Sequence, residues 1–143
     1  MNINLERFLD AQEETYYEAL NEIKRGKKET HWMWFIFPQI KGLGMSETAI
    51  YYEINSLEEA KAYFEHEILG KRLLEITNEL LKLNISDPEY IFGDIDSLKL
   101  KSSMTLFSYI SNNEIFDKVL EKYYDGKKDM STIMICEKLQ SQN

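Results

Sequence analysis

Apolar residues recur every three to four positions along most of the chain, which is the spacing of amphipathic helices. The first stretch of this kind runs from Leu5 to Ile23, and similar stretches follow towards the C-terminus. Ser46, Ser56 and Asp87 stand directly before three later stretches, in the position where helix N-caps are expected. No run of alternating residues is a convincing strand, so the pattern predicts a helical chain.

One stretch differs from the others because it lacks a polar face. From Ser102 to Ile110 the chain carries no charged residue. A helix without a charged face over such a length is expected to be buried on all sides. We therefore predict an all-α fold, a single compact domain over residues 1–143 with about six or seven helices around a buried central helix, Leu98–Ile110.

A densely apolar stretch runs from His31 to Gln39 and holds both tryptophans of the chain; we call it the aromatic segment. Burying each of its large side chains is worth roughly 1.5–3 kcal/mol, so the segment should be wrapped by the rest of the chain. Thr30 can cap a short helix that Pro38 ends. A buried strand is the alternative, because periodicity does not separate the two in so short a run. We favour a helix, packed on the central helix, since partner strands are lacking.

Charge narrows the classes of partner. The 143 residues include 17 basic and 25 acidic side chains, which gives a net charge of −8. Nonspecific nucleic-acid binding depends on neutralising phosphates, and binding to an anionic membrane surface depends on basic residues. We therefore expect neither nucleic acid nor membrane as a partner. The net charge does not exclude a small-molecule ligand.

The single cysteine, Cys136, excludes a disulfide within the chain. Its neighbours Ile133, Met134 and Ile135 indicate a buried thiol. We see neither a charged-then-apolar leader nor an apolar run of membrane-spanning length. The expected location is the cytoplasm.

Known catalytic and metal-binding motifs are missing from the sequence. His31 and His66 do not have the spacing of metal ligands, and there is no second cysteine to join them. Gly42 and Gly44 lack the remaining glycine and the Lys-Ser/Thr pair of a phosphate-binding loop. We assign no metal and no cofactor, and the residues leave open whether the protein is an enzyme.

Two polar sets are candidates for a site. The first is His31 with Gln39, at the two ends of the aromatic segment. His31 could act as an acid–base or ligand-orienting group beside a stacking wall of Trp32 or Trp34. The alternative is that it sits near a helix start and hydrogen-bonds local backbone groups.

The second set follows the start of the predicted central helix. Lys99 shares a helical face with Ser102 and Ser103, and Lys101 shares one with Thr105. A lysine and two hydroxyls leading into a buried helix could hold an anionic ligand. The alternative is that the serines are small packing residues and the lysines are solvated.

Two classes of function follow. The first is a pocket for a small anionic or nucleotide-like ligand near the aromatic segment and the Lys-Ser-Ser helix. Its predicted residues are Trp32, Trp34, Gln39, Lys99, Ser102 and Ser103, with His31 as the candidate catalytic group. The second is a noncatalytic module for protein interaction or self-association. A closed pocket with His31 and Lys99 would favour the first, and an exposed apolar patch rimmed by polar groups would favour the second.

Four motifs together resemble the bacterial domain-of-unknown-function family 1810. They are His31-Trp-Met-Trp-Phe-Ile-Phe-Pro-Gln39, Gly42-Leu-Gly44-x-Ser46, Ile91-Phe-Gly93-x-x-Asp96-x-x-Lys99-Leu100 and Lys101-Ser-Ser-Met-Thr-Leu-Phe107. The resemblance runs from about Leu5 to Thr132 and implies a compact, mainly helical cytoplasmic domain, with no agreed activity. Members are often labelled calpastatin; we regard that label as spurious, because calpastatin is a long disordered inhibitor and this chain has the pattern of a packed globule. The family usually reads His-Pro-x-Leu-Gly where this chain has His66-Glu67-Ile68-Leu69-Gly70, which weakens any functional role for His66.

Overall fold

Eight helices pack around one apolar core in residues 3–142, the part of the chain that the computed structural model describes. In chain order they are α1 (Glu6–Lys24), α2 (Met33–Ile36), α3 (Glu47–Tyr52), α4 (Leu57–Glu65), α5 (Leu69–Lys82), α6 (Pro88–Ile110), α7 (Ile115–Tyr124) and α8 (Met130–Ser141). Within residues 3–142 there is no β-strand, only an isolated bridge. The predicted all-α fold is confirmed, with eight helices in these residues where about six or seven were predicted. Residues 1, 2 and 143 of the predicted domain lie outside the described residues.

Helix α6 is the central helix of the fold, as predicted. Its residues 102–107 are all buried, and it packs against α4, α7 and α8. Four rings cross the core in sequence, Phe8, Tyr63, Phe107 and Phe116, with centroids 5.0, 5.6 and 5.7 Å apart. This chain of rings joins α1, α4, α6 and α7, so one core spans the sequence from its first helix to its seventh.

The start of α6 differs from the prediction. The helix begins at Pro88, where the Asp87 side chain accepts a hydrogen bond from the Glu89 amide at 3.0 Å. Gly93, with φ 81° and ψ 175°, then interrupts the helical backbone, and glycine adopts such angles at no steric cost. Leu98, predicted as the first residue of a buried helix, is 66% exposed. Ile91, Phe92 and Ser97 are buried earlier in the helix, but residues 93–95 and Leu98 face solvent, so the continuously buried stretch begins only at Ser102.

The aromatic segment is mostly buried, and its helix is only one turn long. The Trp32 and Phe37 rings contact Phe92, with centroids 6.4 and 6.2 Å apart. Gln12 of α1 donates a hydrogen bond to the Phe35 carbonyl at 2.7 Å. The segment therefore meets α6 on both sides of the break at Gly93, through the Phe92 ring before it and through Lys99, over the Trp34 ring, after it. Its other neighbours are α1 and α3.

A buried ion pair joins α1 to α4. Arg7 Nη2 lies 2.8 Å from Glu59 Oε1, and both side chains are almost completely enclosed. The Glu59 carboxylate also accepts from the Asn55 amide at 3.1 Å. Among the helices of residues 3–142, none has the length and apolar composition needed to cross a bilayer.

Candidate functional site

Three of the residues predicted for a ligand site are enclosed by the fold. Trp32 is 0% exposed, and Ser102 and Ser103 are buried. The Ser102 hydroxyl is hydrogen-bonded to the Thr132 hydroxyl at 2.9 Å, whereas the Ser103 hydroxyl has no partner among the described residues. In this conformation a ligand cannot reach these three side chains from the surface.

The other four predicted residues reach the surface. His31 is exposed, and Trp34, Gln39 and Lys99 are half-buried. Trp34 and Gln39 line a small cleft with Gly44, and the Lys99 ammonium lies over the Trp34 ring, 5.0 Å from its centroid. The fold therefore brings Gln39, Trp34 and Lys99 together around one indole.

Both tryptophans are covered by lysines that share one carboxylate. The Lys28 ammonium lies over the Trp32 ring, with its Nζ 5.0 Å from a ring centroid. The same Nζ lies 3.0 Å from Asp96 Oδ2. Lys99 lies 3.6 Å from Asp96 Oδ1. Asp96 thus partly neutralises both ammonium groups, and Lys99 covers one face of the Trp34 indole. A nucleobase could stack on that face only if Lys99 moved.

Glu22 of α1 positions the start of the aromatic segment. Its buried carboxylate accepts from the Glu29 amide at 2.6 Å, from the amide and hydroxyl of Thr30 at 3.0 and 2.5 Å, and from Trp32 Nε1 at 2.9 Å. Burial acts to raise the pKa of Glu22, but these hydrogen bonds outweigh it and lower the pKa to about 2. Sequence reasoning missed this residue; the one available signal is that Glu22 lies three positions after Ala19, on the apolar side of α1.

Residues 41–53 form a loop that projects beside the aromatic segment and contains α3. An isolated parallel bridge between Ile40 and Ile54 closes its neck. The Lys41 amide donates to the Ile54 carbonyl at 2.9 Å, and the Ile54 amide donates to the Gln39 carbonyl at 2.8 Å. The end of the aromatic segment is thereby fixed to the base of the 41–53 loop.

Arg7 provides a second attachment of the 41–53 loop. Its Nε and Nη2 donate to the carbonyl oxygens of Tyr51 and Glu53 at 2.9 and 2.7 Å. No residue of α3 is buried, and Ile50 is exposed. The loop is therefore held by its ends, and its middle is free to line a surface concavity.

A groove of about 630 Å³ lies between the 41–53 loop and α8; we call it the loop groove. Its apolar lining comes from four side chains, Met45, Ile50, Ile135 and Leu139. Lys41 and Lys138 add two positive charges, and neither forms an ion pair with a described residue. The combination of an apolar lining and unpaired cations suits a ligand with an apolar body and an anionic group.

The loop groove adjoins the cleft that holds Trp34 and Gln39. Gly44 and Glu53 line both concavities. The cleft itself measures only about 10 Å³, which is no more than the space of one water molecule. A Cβ atom at Gly44 would overlap Ala49, so glycine at this position lets the loop close tightly over the cleft.

The α8 wall of the loop groove was missed by sequence reasoning. Ile135, Lys138 and Leu139 lie about a hundred residues after the aromatic segment, and their spacing indicates only a helix. Nothing in the sequence shows that this helix lies beside Gly42, where a Cβ atom would stand 3.7 Å from the Ile135 side chain. Across residues 3–142, no three His, Cys, Asp or Glu side chains come together as metal ligands.

Comparison with known proteins adds a family and a solved structure. The model of a family described as "Protein of unknown function (DUF1810)" matches residues 2–136. A crystal structure of the conserved hypothetical protein Rv1873 from Mycobacterium tuberculosis is similar, with a TM-score of 0.92 and 45% sequence identity. The similarity covers 94% of this chain and 97% of the mycobacterial chain. No curated protein gives a significant match.

Proposed function

The chain belongs to the DUF1810 family of proteins of unknown function, and from that premise we propose that it binds a small amphipathic anion in the loop groove, beside the aromatic segment. The observation that carries this proposal is the groove itself, about 630 Å³ with an apolar lining and two unpaired lysines. Its volume falls in the ordinary range of small-molecule sites. The proposal concerns binding and assigns no catalytic step.

The charges in the loop groove favour an anion. Lys41 and Lys138 face one carboxylate, that of Glu53. Glu53 Oε1 already accepts a hydrogen bond from the Gly42 amide at 3.2 Å. The two ammonium groups are therefore available to a phosphate or carboxylate, while an aromatic or aliphatic body lies on Ile135 and Leu139.

The residues predicted from sequence have a supporting part in this proposal. Trp34 and Gln39 line the neighbouring cleft, which shares Gly44 and Glu53 with the loop groove. Lys99 then holds the Trp34 indole in place from its other face. Trp34 and Gln39 are in this way near the ligand, whereas Trp32, Ser102 and Ser103 are enclosed away from it. Lys41 and Lys138 take the anion-binding role that the sequence indicates for Lys99.

A thermal-shift screen with three probes tests this site. Adenosine 5′-monophosphate and octanoate each join an anionic group to an apolar body, and inorganic phosphate is the anion alone. A ligand that binds only the folded state stabilises it by about 2.7 kcal/mol at a concentration of 100 times its Kd. We expect at least one amphipathic probe to raise the melting temperature clearly more than phosphate does.

Two lysine variants give the matched comparison. Lys138→Met removes one charge from the loop groove and should abolish the shift while folding is retained, because exposed substitutions usually change stability by about 0.5 kcal/mol or less. Lys118→Met removes an exposed charge from α7, outside the groove, and should leave the shift intact. The proposal is wrong if neither amphipathic probe raises the melting temperature, or if Lys138→Met and Lys118→Met respond alike.

Protein interaction or self-association is a second candidate function for the same groove. The loop groove is concave yet open, and Met45 at its edge is 90% exposed. Flexible, polarizable methionines are common on surfaces that accept varied partners. Sedimentation velocity across a range of concentrations separates the two candidates: self-association through the groove should be concentration-dependent and lost in Met45→Lys, whereas a ligand site predicts an unchanged sedimentation coefficient.

We also propose a cytoplasmic location for the protein. Cys136 is the single cysteine of the chain and is buried, and burial raises the pKa of its thiol to about 11. Free thiols of this kind are typical of a reducing compartment. Fractionation of cells that express the untagged chain would test the location.

A further inference from the structure

A second concave surface runs between α1 and the start of α5, on elements that do not line the loop groove. It consists of two concavities of about 610 and 350 Å³ that share Ile68 and Arg72; we call their union the acidic groove. Along α1 it extends from Glu6 to Tyr17. At 1.5 Å per helical residue this is a length of about 17 Å, or roughly three helical turns.

Carboxylates dominate the charge of the acidic groove. They come from Glu6, Asp10, Glu13, Glu67 and Glu75. None of the five forms an ion pair with a residue in the described part of the chain, although the Glu75 carboxylate accepts a hydrogen bond from the Tyr16 hydroxyl. Only Lys71 and Arg72 contribute opposite charge. The surface therefore has a net negative charge that the fold itself does not neutralise.

The cation nearest the middle of the acidic groove is held by the groove floor. The Arg72 guanidinium carbon lies 5.0 Å from the centroid of the Tyr16 ring, and its Nη1 lies 3.4 Å from the Gln12 side-chain oxygen. Arg72 is half-buried. It is directed towards the protein in both contacts, so the outward-facing charges are mainly the carboxylates.

Apolar side chains stand among these carboxylates. Tyr17 is 66% exposed and Ile68 is 45% exposed, and Leu9 is half-buried between them and the core. An apolar ridge of a partner would remove their solvent-exposed surface from water. Burial of apolar surface stabilises a complex by roughly 25 cal/mol for each Å² buried.

We infer that the acidic groove is a docking surface for a cationic amphipathic helix of a partner protein. The partner's apolar face covers Leu9, Tyr17 and Ile68, and its lysines or arginines face the unpaired carboxylates of α1 and α5. Charge complementarity requires a positively charged partner. The length of the groove, about three helical turns, sets the length of the partner's helix. This surface is independent of the loop groove, so the inference does not rest on the proposed small-molecule site.

A pair of synthetic peptides tests the inference by isothermal titration calorimetry with the full chain. One peptide has about 14 residues, leucine and lysine only, with leucines at the i, i+3, i+4 and i+7 spacing of an amphipathic helix. The other has the same composition in an order that breaks this spacing. We expect the amphipathic peptide to bind at least about tenfold more tightly than the scrambled peptide, a difference of about 1.4 kcal/mol.

Charge-reversal variants locate the binding. Asp10→Lys with Glu13→Lys should weaken binding of the amphipathic peptide by about tenfold or more, because like charges then face each other. Glu121→Lys with Glu137→Lys makes the same change of net charge on exposed positions of α7 and α8. The affinity of this control variant for the amphipathic peptide should stay within about twofold of the parent's affinity, since screened charges beyond about 10 Å contribute little at ordinary salt. Ile68→Ser should remove the preference for the amphipathic over the scrambled peptide.

Three outcomes would overturn the inference. The first is an absence of binding by the amphipathic peptide. The second is equal affinity for the two peptides, which would indicate attraction to charge alone. The third is an equal loss in both charge-reversal pairs, which would indicate attraction to the net charge of −8 and not to this groove. A circular dichroism melt of each variant verifies that a lost affinity does not come from unfolding.

Discussion

Two charged groups in this protein, the buried Glu22 carboxylate and the half-buried Lys122 ammonium, are each held by several hydrogen bonds. The Glu22 carboxylate has four donors around it, and the Lys122 ammonium donates to three carbonyl oxygens. A buried charge without such partners is strongly unfavourable. Each of these groups therefore fixes the segments that supply its partners, and changing one atom should affect a whole segment.

Replacing Glu22 with glutamine should show this effect. The amide nitrogen of the new side chain would face N–H donors where the carboxylate accepted them, so some donors around it would lose their partner. We expect Glu22→Gln to lower the free energy of unfolding by about 2–3 kcal/mol. Urea denaturation measures the loss, and a value below about 0.5 kcal/mol would contradict the role assigned to the carboxylate.

The same carboxylate predicts a dependence of stability on pH. Its pKa is about 2 in the folded protein against an ordinary value of 4.5. The unfolded chain binds the proton more readily, so the contribution of Glu22 is complete above pH 4.5 and is lost as the pH falls towards 2. The difference in stability between the parent and Glu22→Gln should therefore shrink over this interval. A constant difference from pH 6 to pH 2 would show that ionisation of Glu22 is not what stabilises the segment.

The two tryptophans should respond differently to truncation. Trp32 is 0% exposed and donates to Glu22, so Trp32→Ala should cost about 3–5 kcal/mol. Trp34 is half-buried beneath Lys99, so Trp34→Ala should cost about half as much or less. Equal losses in thermal or urea denaturation would mean that Trp34 belongs to the core after all.

At the scale of helices, three local caps were predictable, whereas one local cap and one distant cap were not. Thr30, expected to cap the short helix of the aromatic segment, instead donates its hydroxyl to Glu22, and α2 begins only at Met33. Ser46, Ser56 and Asp87 accept hydrogen bonds from the Ala49, Glu59 and Glu89 amides, as their positions in the sequence predict. The end of α5 is capped differently, by a side chain about forty residues further along. Lys122 of α7 donates to the Leu80 and Leu81 carbonyls at 3.0 and 3.1 Å and also to that of Leu83. Spacing along the sequence contains no sign of this contact.

Removing this cap should loosen the junction of α5 and α7. Lys122→Met keeps most of the alkyl chain but leaves three carbonyl groups without their donor, and we expect a loss of about 1–3 kcal/mol. Lys118→Met, an exposed lysine one helical turn earlier on α7, is the control and should be nearly neutral. Urea denaturation of both variants measures the difference; equal effects would mean that the Lys122 contacts contribute nothing.

At the scale of the whole molecule, the pattern along the chain predicts the faces of helices but not their pairing. The uncharged stretch 102–110 correctly indicated the central helix, because the local sequence alone decides whether a helix has a polar face. Other contacts join segments that are far apart in the sequence. Lys28 forms an ion pair with Asp96, and Ile135 of α8 lies beside Gly42. Trp34 and Gln39 line a small cleft, and their part in a ligand site stays a prediction. The α8 wall of the loop groove could not be predicted, because it depends on a contact between distant segments.

The Arg7–Glu59 pair tests such long-range coupling directly. The residues are 52 positions apart and almost fully enclosed. Breaking a buried pair leaves one charge without compensation, so Arg7→Met should cost about 3–5 kcal/mol, and Glu59→Gln a similar amount. The double variant should lose clearly less than the sum of the two, by about 1–3 kcal/mol. Additive losses in this cycle would show that the two side chains act separately.

The attachment of the 41–53 loop has a consequence for how this surface can diverge among relatives. Its neck is held through main-chain groups of Lys41 and Ile54, and Arg7 binds the carbonyl oxygens of Tyr51 and Glu53. Main-chain groups are the same whatever side chains the loop carries, and no residue of α3 is buried. Substitutions at its exposed positions, such as Met45 and Ile50, should therefore accumulate at little expense to the fold, whereas Gly44, whose Cβ would overlap Ala49, and Tyr52, whose ring packs on Phe8 and Phe35, are constrained. Added length should also be tolerated, because closing a longer loop costs only about 0.6 kcal/mol per doubling. The binding specificity of this surface could in this way change during evolution while the helical scaffold stays the same.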